Sequence, residues 1–285
     1  MAWKWPVDVT VSHADCTLEP RSPVPPPRPP GTPPGHAARQ GDPGQPAVRL
    51  GLRRIASLGA AGIERLIAAR AQAPFTSTED LALRAELDGS DMAALAAAGA
   101  LQTLSGHRRQ QIWDATAQRR APALLKGVPI HESTLLLPEA PEGEEIVGDF
   151  ASLGLTLRRH PLALLRPRLA RLKLATAAEL RPMPHGRTVR ACGMVTMRQR
   201  PGTAKNTMFV TLEDETGTVN VIVWNHVAEK WREPLLKAHL LAVQGTWQCD
   251  TDGSGEVRHL IASAFRDLTP LLGRLAKRNT SRDFH

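Results

Sequence analysis

Tyrosine is absent from this 285-residue chain, and aromatic side chains as a whole make up only 4% of it. Any core must therefore rest on Leu, Ala and Val. Cysteine is scarce too. Cys16, Cys192 and Cys249 lie far apart with no CxxC spacing, which excludes a zinc ribbon and a disulfide framework. Long apolar runs are missing: the longest, Met92 to Leu101, is half of what a membrane span needs. The N-terminal Met1-Ala-Trp-Lys-Trp-Pro has no apolar stretch of the kind that opens a secretory signal. A soluble, cytoplasmic chain with no membrane partner is expected. GxxxxGK[ST], GxSxG and HExxH are also absent, so no nucleotide-hydrolysing, acyl-transfer or metalloprotease signature is present.

What is present is an ordinary globular balance of 42% hydrophobic and 22% charged residues. Lys and Arg number 36 against 28 Asp and Glu, a net charge of +8. That excess suits a polyanion, nucleic acid before membrane.

Composition divides the chain. Residues 1–19 are too few to fold alone. Residues 20–46 hold 11 Pro and 4 Gly and read as a flexible or polyproline linker. From Val48 to Arg120 the period is helical: Leu52, Ile55, Ile63, Leu66 and Ile67 recur at three-to-four spacing, and further helices are expected over Asp80–Ala85, Asp91–Ala98 and Ser105–Gln118. Residues 121–186 read as a charged connector, with six acids between His131 and Asp149 and six bases between Arg158 and Lys173. The basic run carries Leu162, Leu165, Leu169 and Leu172 as the stripe of a solvated helix. Beyond Arg187 the pattern alternates. Strands are expected at 189–195, 207–213, 218–224, 240–248 and 257–265, with a short helix at 226–236, before a basic tail from about residue 269. Three strands, a helix and two strands is the order of a five-stranded OB barrel.

Two motifs carry function. Ile55-Ala-Ser-Leu-Gly-Ala-Ala-Gly-Ile-Glu-Arg-Leu-Ile67 is similar to a helix-hairpin-helix, whose tight turn aims free helix N–H groups at a DNA phosphate. Ser57 stands where that motif has its first glycine. Leu58, Gly59 and Gly62 would shape the turn, with Arg65 beside it on the helix. In the barrel, alternation assigns Met208, Val210, Leu212, Val219, Val221 and Val223 to the core. It sends Thr207, Phe209, Thr211, Asn220, Ile222 and Trp224 outward, onto the face where OB barrels stack bases. The loop Arg198-Gln-Arg-Pro-Gly-Thr-Ala-Lys-Asn206 adds Arg198, Arg200 and Lys205 as backbone contacts. The cluster Glu213-Asp214-Glu215 falls in a hairpin turn, where such residues serve conformation. No catalytic residue and no metal ligand emerges.

The sequence words are more specific than these patterns. PVDV (6–9), DCTLEP (15–20), VRLGLR (48–53), AAAGAL (96–101), GHRRQ (106–110), LGLTLRRHPLALLRPRL (153–169), RQRPGTA (198–204), FVTLEDETGTVNVIVW (209–224) and SRDFH (281–285) occur in that order. Together they resemble the C-terminal quarter of the error-prone C-family DNA polymerases of bacteria, which act in damage-induced mutagenesis. The resemblance implies an α+β multidomain fold, a tandem helix-hairpin-helix domain (47–120) followed by an OB-fold domain (187–268), with 1–19 a remnant of the fingers. It implies DNA as partner, primer-template duplex at the hairpin around Leu58-Gly59 and single-stranded template on the face of Phe209 and Asn220. Accessory mutagenesis proteins or a separate catalytic part are implied as further partners. The family's catalytic carboxylates and their Mg2+ belong to a palm that has no counterpart here. The chain is expected to need no cofactor and to be inactive alone. The competing expectation is a folded remnant or interaction module that binds no DNA.

Overall fold

A computed structural model describes residues 4–20, 46–117, 135–202, 207–252, 255–277 and 282–284. The chain forms two compact units, Met1–Arg158 and Arg159–His285.

The first unit is helical around a small sheet. Strands β1 (Lys4–Trp5), β2 (Thr17–Glu19) and β3 (Ala47–Arg49) lie in the order β1-β3-β2. Glu19 and Ala47 are antiparallel partners. The linker expected between them falls, over residues 21–45, outside the described residues. Residues 4–20 do not stand apart, since Val7 and Val9 are buried in the helical core.

A 3-10 turn at Leu52–Arg54 leads to α1 (Ala60–Gln72), α2 (Thr78–Arg84), α3 (Gly89–Ala97), α4 (Gln102–Ser105), α5 (Arg108–Ala117) and α6 (Glu142–Leu153). The starts of two helices are written in the sequence. Ser77 accepts from the Asp80 N–H and Asp88 from the Asp91 N–H, each satisfying a donor that the helix leaves open. Leu52, Leu66, Leu81, Met92, Leu95 and Leu101 are fully buried. The acidic stretch also has a structural explanation. Glu145 and Asp149 of α6 are buried and meet Arg108 and Arg158, with Arg158 to Glu145 at 2.8 Å.

The second unit opens with α7 (Pro161–Arg171) and α8 (Ala177–Leu180). The solvated-connector reading is corrected here. Leu162 and Leu169 are completely buried, and Arg166 donates to Glu215 at 2.8 Å from the hairpin turn of the barrel. Burial disfavours a lone charge on either partner, but the hydrogen-bonded pair outweighs it, holding the Glu215 carboxyl below its ordinary range.

The barrel strands are β4 (Thr188–Gln199), β5 (Met208–Asp214), β6 (Gly217–Val223), β7 (Leu240–Asp252) and β8 (Gly255–Asp267). Helices α9 (Asn225–Lys230) and α10 (Arg232–Lys237) lie between β6 and β7. The pairing runs β5-β6-β8-β7-β4 and returns from β4 to β5, which closes five strands. A sixth, β9 (Arg282–Phe284), joins β4 in parallel, Met197 opposite Arg282. The end of the chain is therefore not simply a tail. Before it, 3-10 turns over Thr269–Lys277 bury Leu272 and Leu275.

Candidate nucleic-acid interface

In the barrel the alternation holds. Val210, Leu212, Val219, Val221 and Val223 are buried, and Met208 packs on the same core from a partly buried position. On the opposite face Phe209 is 38% and Trp224 45% exposed. The register sets Phe209 opposite Ile222 and Thr211 opposite Asn220; the Thr211 hydroxyl lies 3.4 Å from the Asn220 side-chain oxygen. Thr207 departs from the pattern and is buried, at 5%. Strand β4 adds a row the sequence reading missed, with Gln199 opposite Phe209 and Met197 opposite Thr211. The signal was weak because Met197-Arg-Gln199 lacks a β-branched residue, and the strand runs past its apolar stretch.

The three loop bases separate. Arg200 is exposed at the rim and donates to the Asn225 side-chain oxygen at 3.1 Å, next to Trp224. Arg198 is 6% exposed, and its guanidinium donates to the main-chain carbonyls of Leu235 and Ala238. It caps the C-terminal end of α10, where a cation meets unpaired carbonyls and the negative end of the helix dipole. Its assignment to a nucleic-acid backbone is therefore corrected. Lys205 lies outside the described residues.

At the first hairpin, Ser57 has φ +68°, so a serine holds the left-handed backbone that a glycine would adopt freely. Leu58 packs against the core. Gly59 caps α1 with φ −72°, no side chain accepts from the first turn, and that turn carries no acid. The N–H groups there have no partner within the helix and lie at its positive end. A Cβ on Gly59 would meet nothing within 4 Å, so the space in front of these donors is open. Gly62 is a packing position instead, since a Cβ there would come within 3.1 Å of the Asp91 carboxylate. Arg65, its side chain 40% exposed, donates to the Ala85 carbonyl at 3.0 Å and to Asp91 at 3.4 Å. These contacts brace α1 against α3.

The second hairpin, at Ala98-Gly99-Ala100-Leu101, differs. The Leu101 N–H donates to the buried side chain of Gln111 at 3.1 Å, and the Ala100 carbonyl accepts from Val9 at 2.9 Å. These two backbone groups are satisfied within the unit.

The acid cluster at the β5–β6 turn does structural work. Asp214 accepts from Thr216 and Gly217 with one carboxylate oxygen and from the Ala177 N–H with the other. Among the described residues no three His, Cys, Asp or Glu side chains gather where a metal ion could sit. Nor, among the described residues, is any helix long and apolar enough to cross a membrane.

Residues 5–111 match the family described as helix-hairpin-helix motif, and residues 189–268 match the OB-fold nucleic acid binding domain. Over 98% of the chain it is 50% identical to proteins of Ralstonia nicotianae and Ralstonia pickettii named error-prone DNA polymerase, and 47% identical to one of Burkholderia pseudomallei. Over that span the chain is similar to error-prone DNA polymerases. It spans about a quarter of those relatives' length: 24%, 25% and 24%. The two matched domains are nucleic-acid-binding types, and their order is that of the C-terminal fragment the sequence words resemble.

Proposed function

We propose that this chain is the DNA-gripping segment of an error-prone DNA polymerase, working in the cytoplasm. Its barrel face holds single-stranded template, and its first hairpin holds the phosphates of primer-template duplex. The catalytic carboxylates and their Mg2+ belong to polymerase sequence outside this chain, and accessory mutagenesis proteins are further partners. One observation carries the reading: Phe209, Ile222 and Trp224 remain accessible on one outer face of the barrel, flanked by Asn220 and Arg200. Aromatic rings offer a sequence-tolerant stacking surface, an amide reads base edges, and a rim guanidinium meets the backbone. At the hairpin, the support is a set of uncapped helix N–H groups facing open space.

Fluorescence anisotropy with a labelled single-stranded oligonucleotide at two salt concentrations tests it. Binding that weakens steeply with salt, as counterions are released, and that drops about 5- to 150-fold in Phe209→Ala, the loss of one stacked base, is expected. A folded chain that binds no strand at low salt is the outcome that identifies a remnant or a protein-interaction module instead.

A further inference from the structure

The barrel has a second outer wall that the stacking face does not use. On β4, β7 and β8 the register builds two adjacent rows, Arg190–Gln244–Ala264 and Cys192–Ala242–Arg266. All of these except Cys192, together with Leu174, line an open groove of about 110 Å³, well above the 10–15 Å³ or so that a single water needs. Ala242 and Ala264 keep the floor low. Arg190 and Arg266 stand at opposite corners, two strands and two residues apart, about 12 Å between backbones, near enough for both long side chains to reach into the groove. Both are exposed, as is Gln244. Neither arginine has an ion-pair or side-chain hydrogen-bond partner among the described residues, in contrast to Arg108, Arg158 and Arg166, which are all paired. No acid lines the groove, and exposed Lys173 immediately precedes Leu174.

The backbone here is shaped as well. A bulge shifts the β7–β8 register between Gln244 and Gly245. Gly245 is required at that point, because a Cβ would come within 2.0 Å of the Ile261 carbonyl oxygen. Bulges of this kind re-aim a side chain, and this one sits beneath Gln244.

We propose that this groove is a second nucleic-acid tract, in which Arg190, Arg266 and the Gln244 amide hold the phosphodiester backbone of a strand that continues beyond the stacking face. The inference rests on the single-strand reading above. The charge decides the occupant: two cations without partners, a neutral donor and no carboxylate fit a polyanion and offer nothing to stack a base. Arg190 lies nine residues before Gln199 on the same strand, up to about 30 Å of β4. A short oligonucleotide on the face therefore does not reach it, and a long one does.

The test is the full chain carrying Arg190→Glu and Arg266→Glu, titrated by anisotropy with single-stranded oligonucleotides of 6 and 30 nucleotides. Both side chains are exposed, so unfolding is not expected, and a far-UV spectrum checks it. A pair of Lys substitutions at the same positions serves as the charge-preserving control. The expected result is at least a tenfold loss for the 30-mer with the 6-mer within twofold. The salt slope for the 30-mer should fall by about 1.4, some 0.7 for each phosphate released. The Lys pair should retain both values. Unchanged 30-mer affinity and slope, in a background where Phe209→Ala still weakens binding, overturns the groove and leaves the stacking face standing. Equal losses for both lengths overturn it too, by making the arginines part of one site. Wild-type protein that binds neither oligonucleotide brings down the single-strand reading itself, and the groove with it.

Discussion

Arg198 and Arg200 stand two positions apart and do opposite work. The guanidinium of Arg198 is spent on the carbonyls that end α10, while that of Arg200 sits at the exposed rim. Arg198→Ala strips donors from buried acceptors, a loss of about 1–3 kcal/mol, and a urea titration should register it as a lower midpoint. Arg200→Ala should leave stability within about 0.5 kcal/mol and instead reduce the salt slope of single-strand binding by about 0.7. A reversal of these two outcomes would show that the loop, not the barrel interior, owns Arg198. Cys192 gives a pH signature. Burial pushes its thiol up to about 12 from an ordinary 9.0. Between those values the unfolded chain has lost the proton and the folded chain keeps it. The unfolded state then binds fewer protons, so stability falls as pH rises above about 9, by up to about 1.4 kcal/mol per unit. Below that point the thiol contributes nothing to pH dependence. Denaturant midpoints at pH 8 and pH 10 for wild type and Cys192→Ala isolate the effect, since the variant should lose only that part of the slope. Identical slopes would mean that the thiol is hydrated.

At the scale of elements, the first hairpin lets fold and function be pulled in opposite directions. Gly59 is the N-cap of α1, a position where Asp is better than Gly by a few tenths of a kcal/mol. Gly59→Asp should therefore hold or raise the melting temperature while placing a carboxylate in front of the N–H groups. Duplex affinity should fall, and single-strand affinity should not. Loss of both would refute separate elements for the two forms of DNA. The Pro-rich insert makes a different case. Because Glu19 and Ala47 pair directly, replacing residues 21–45 with a short Gly-Ser turn should preserve the fold and add about 1–2 kcal/mol of stability, as the closed loop shortens.

The elements also show where sequence reading worked. The OB strands were legible because one face is buried and the other is not, so period two survives in Val219, Val221 and Val223 against Asn220, Ile222 and Trp224. The helices of the first unit were legible from apolar spacing, though the caps Ser77 and Asp88 went unread and two helices were begun late, at Asp80 and Asp91 instead of Thr78 and Gly89. What escaped was non-local. Nothing in Thr17–Glu19 reveals that it pairs with a segment on the far side of a proline-rich insert. Arg65, Arg166 and Arg198 look like the exposed bases around them until distant partners are known. For β9, three residues carry too little pattern to mark a strand.

For the whole molecule, the decisive boundary falls where charge composition blurred it. The acidic and basic runs looked like one connector, yet α6 gives its acids to Arg108 and Arg158 within the first unit, and α7 gives Arg166 to the barrel turn. The OB unit therefore begins before its first strand. A chain of residues 187–285 keeps all five barrel strands but loses α7 and α8. Ala177 and Leu180 leave the barrel core, Glu215 loses its guanidinium, and one oxygen of the Asp214 carboxylate loses the Ala177 N–H that it accepts. Each lost hydrogen bond to a charged group is worth about 1.5–3 kcal/mol. Burying an apolar side chain the size of Leu adds a further 1.5–3 kcal/mol or so. Against a typical domain stability of about 5–15 kcal/mol, that sum is enough to leave the shorter chain largely unfolded at 37 °C. Residues 159–285 should melt in one cooperative step and bind a short single strand as the full chain does. If residues 187–285 melt at the same temperature as 159–285, α7 is a passenger on the barrel. The Arg166–Glu215 pair would then be a surface contact of little worth.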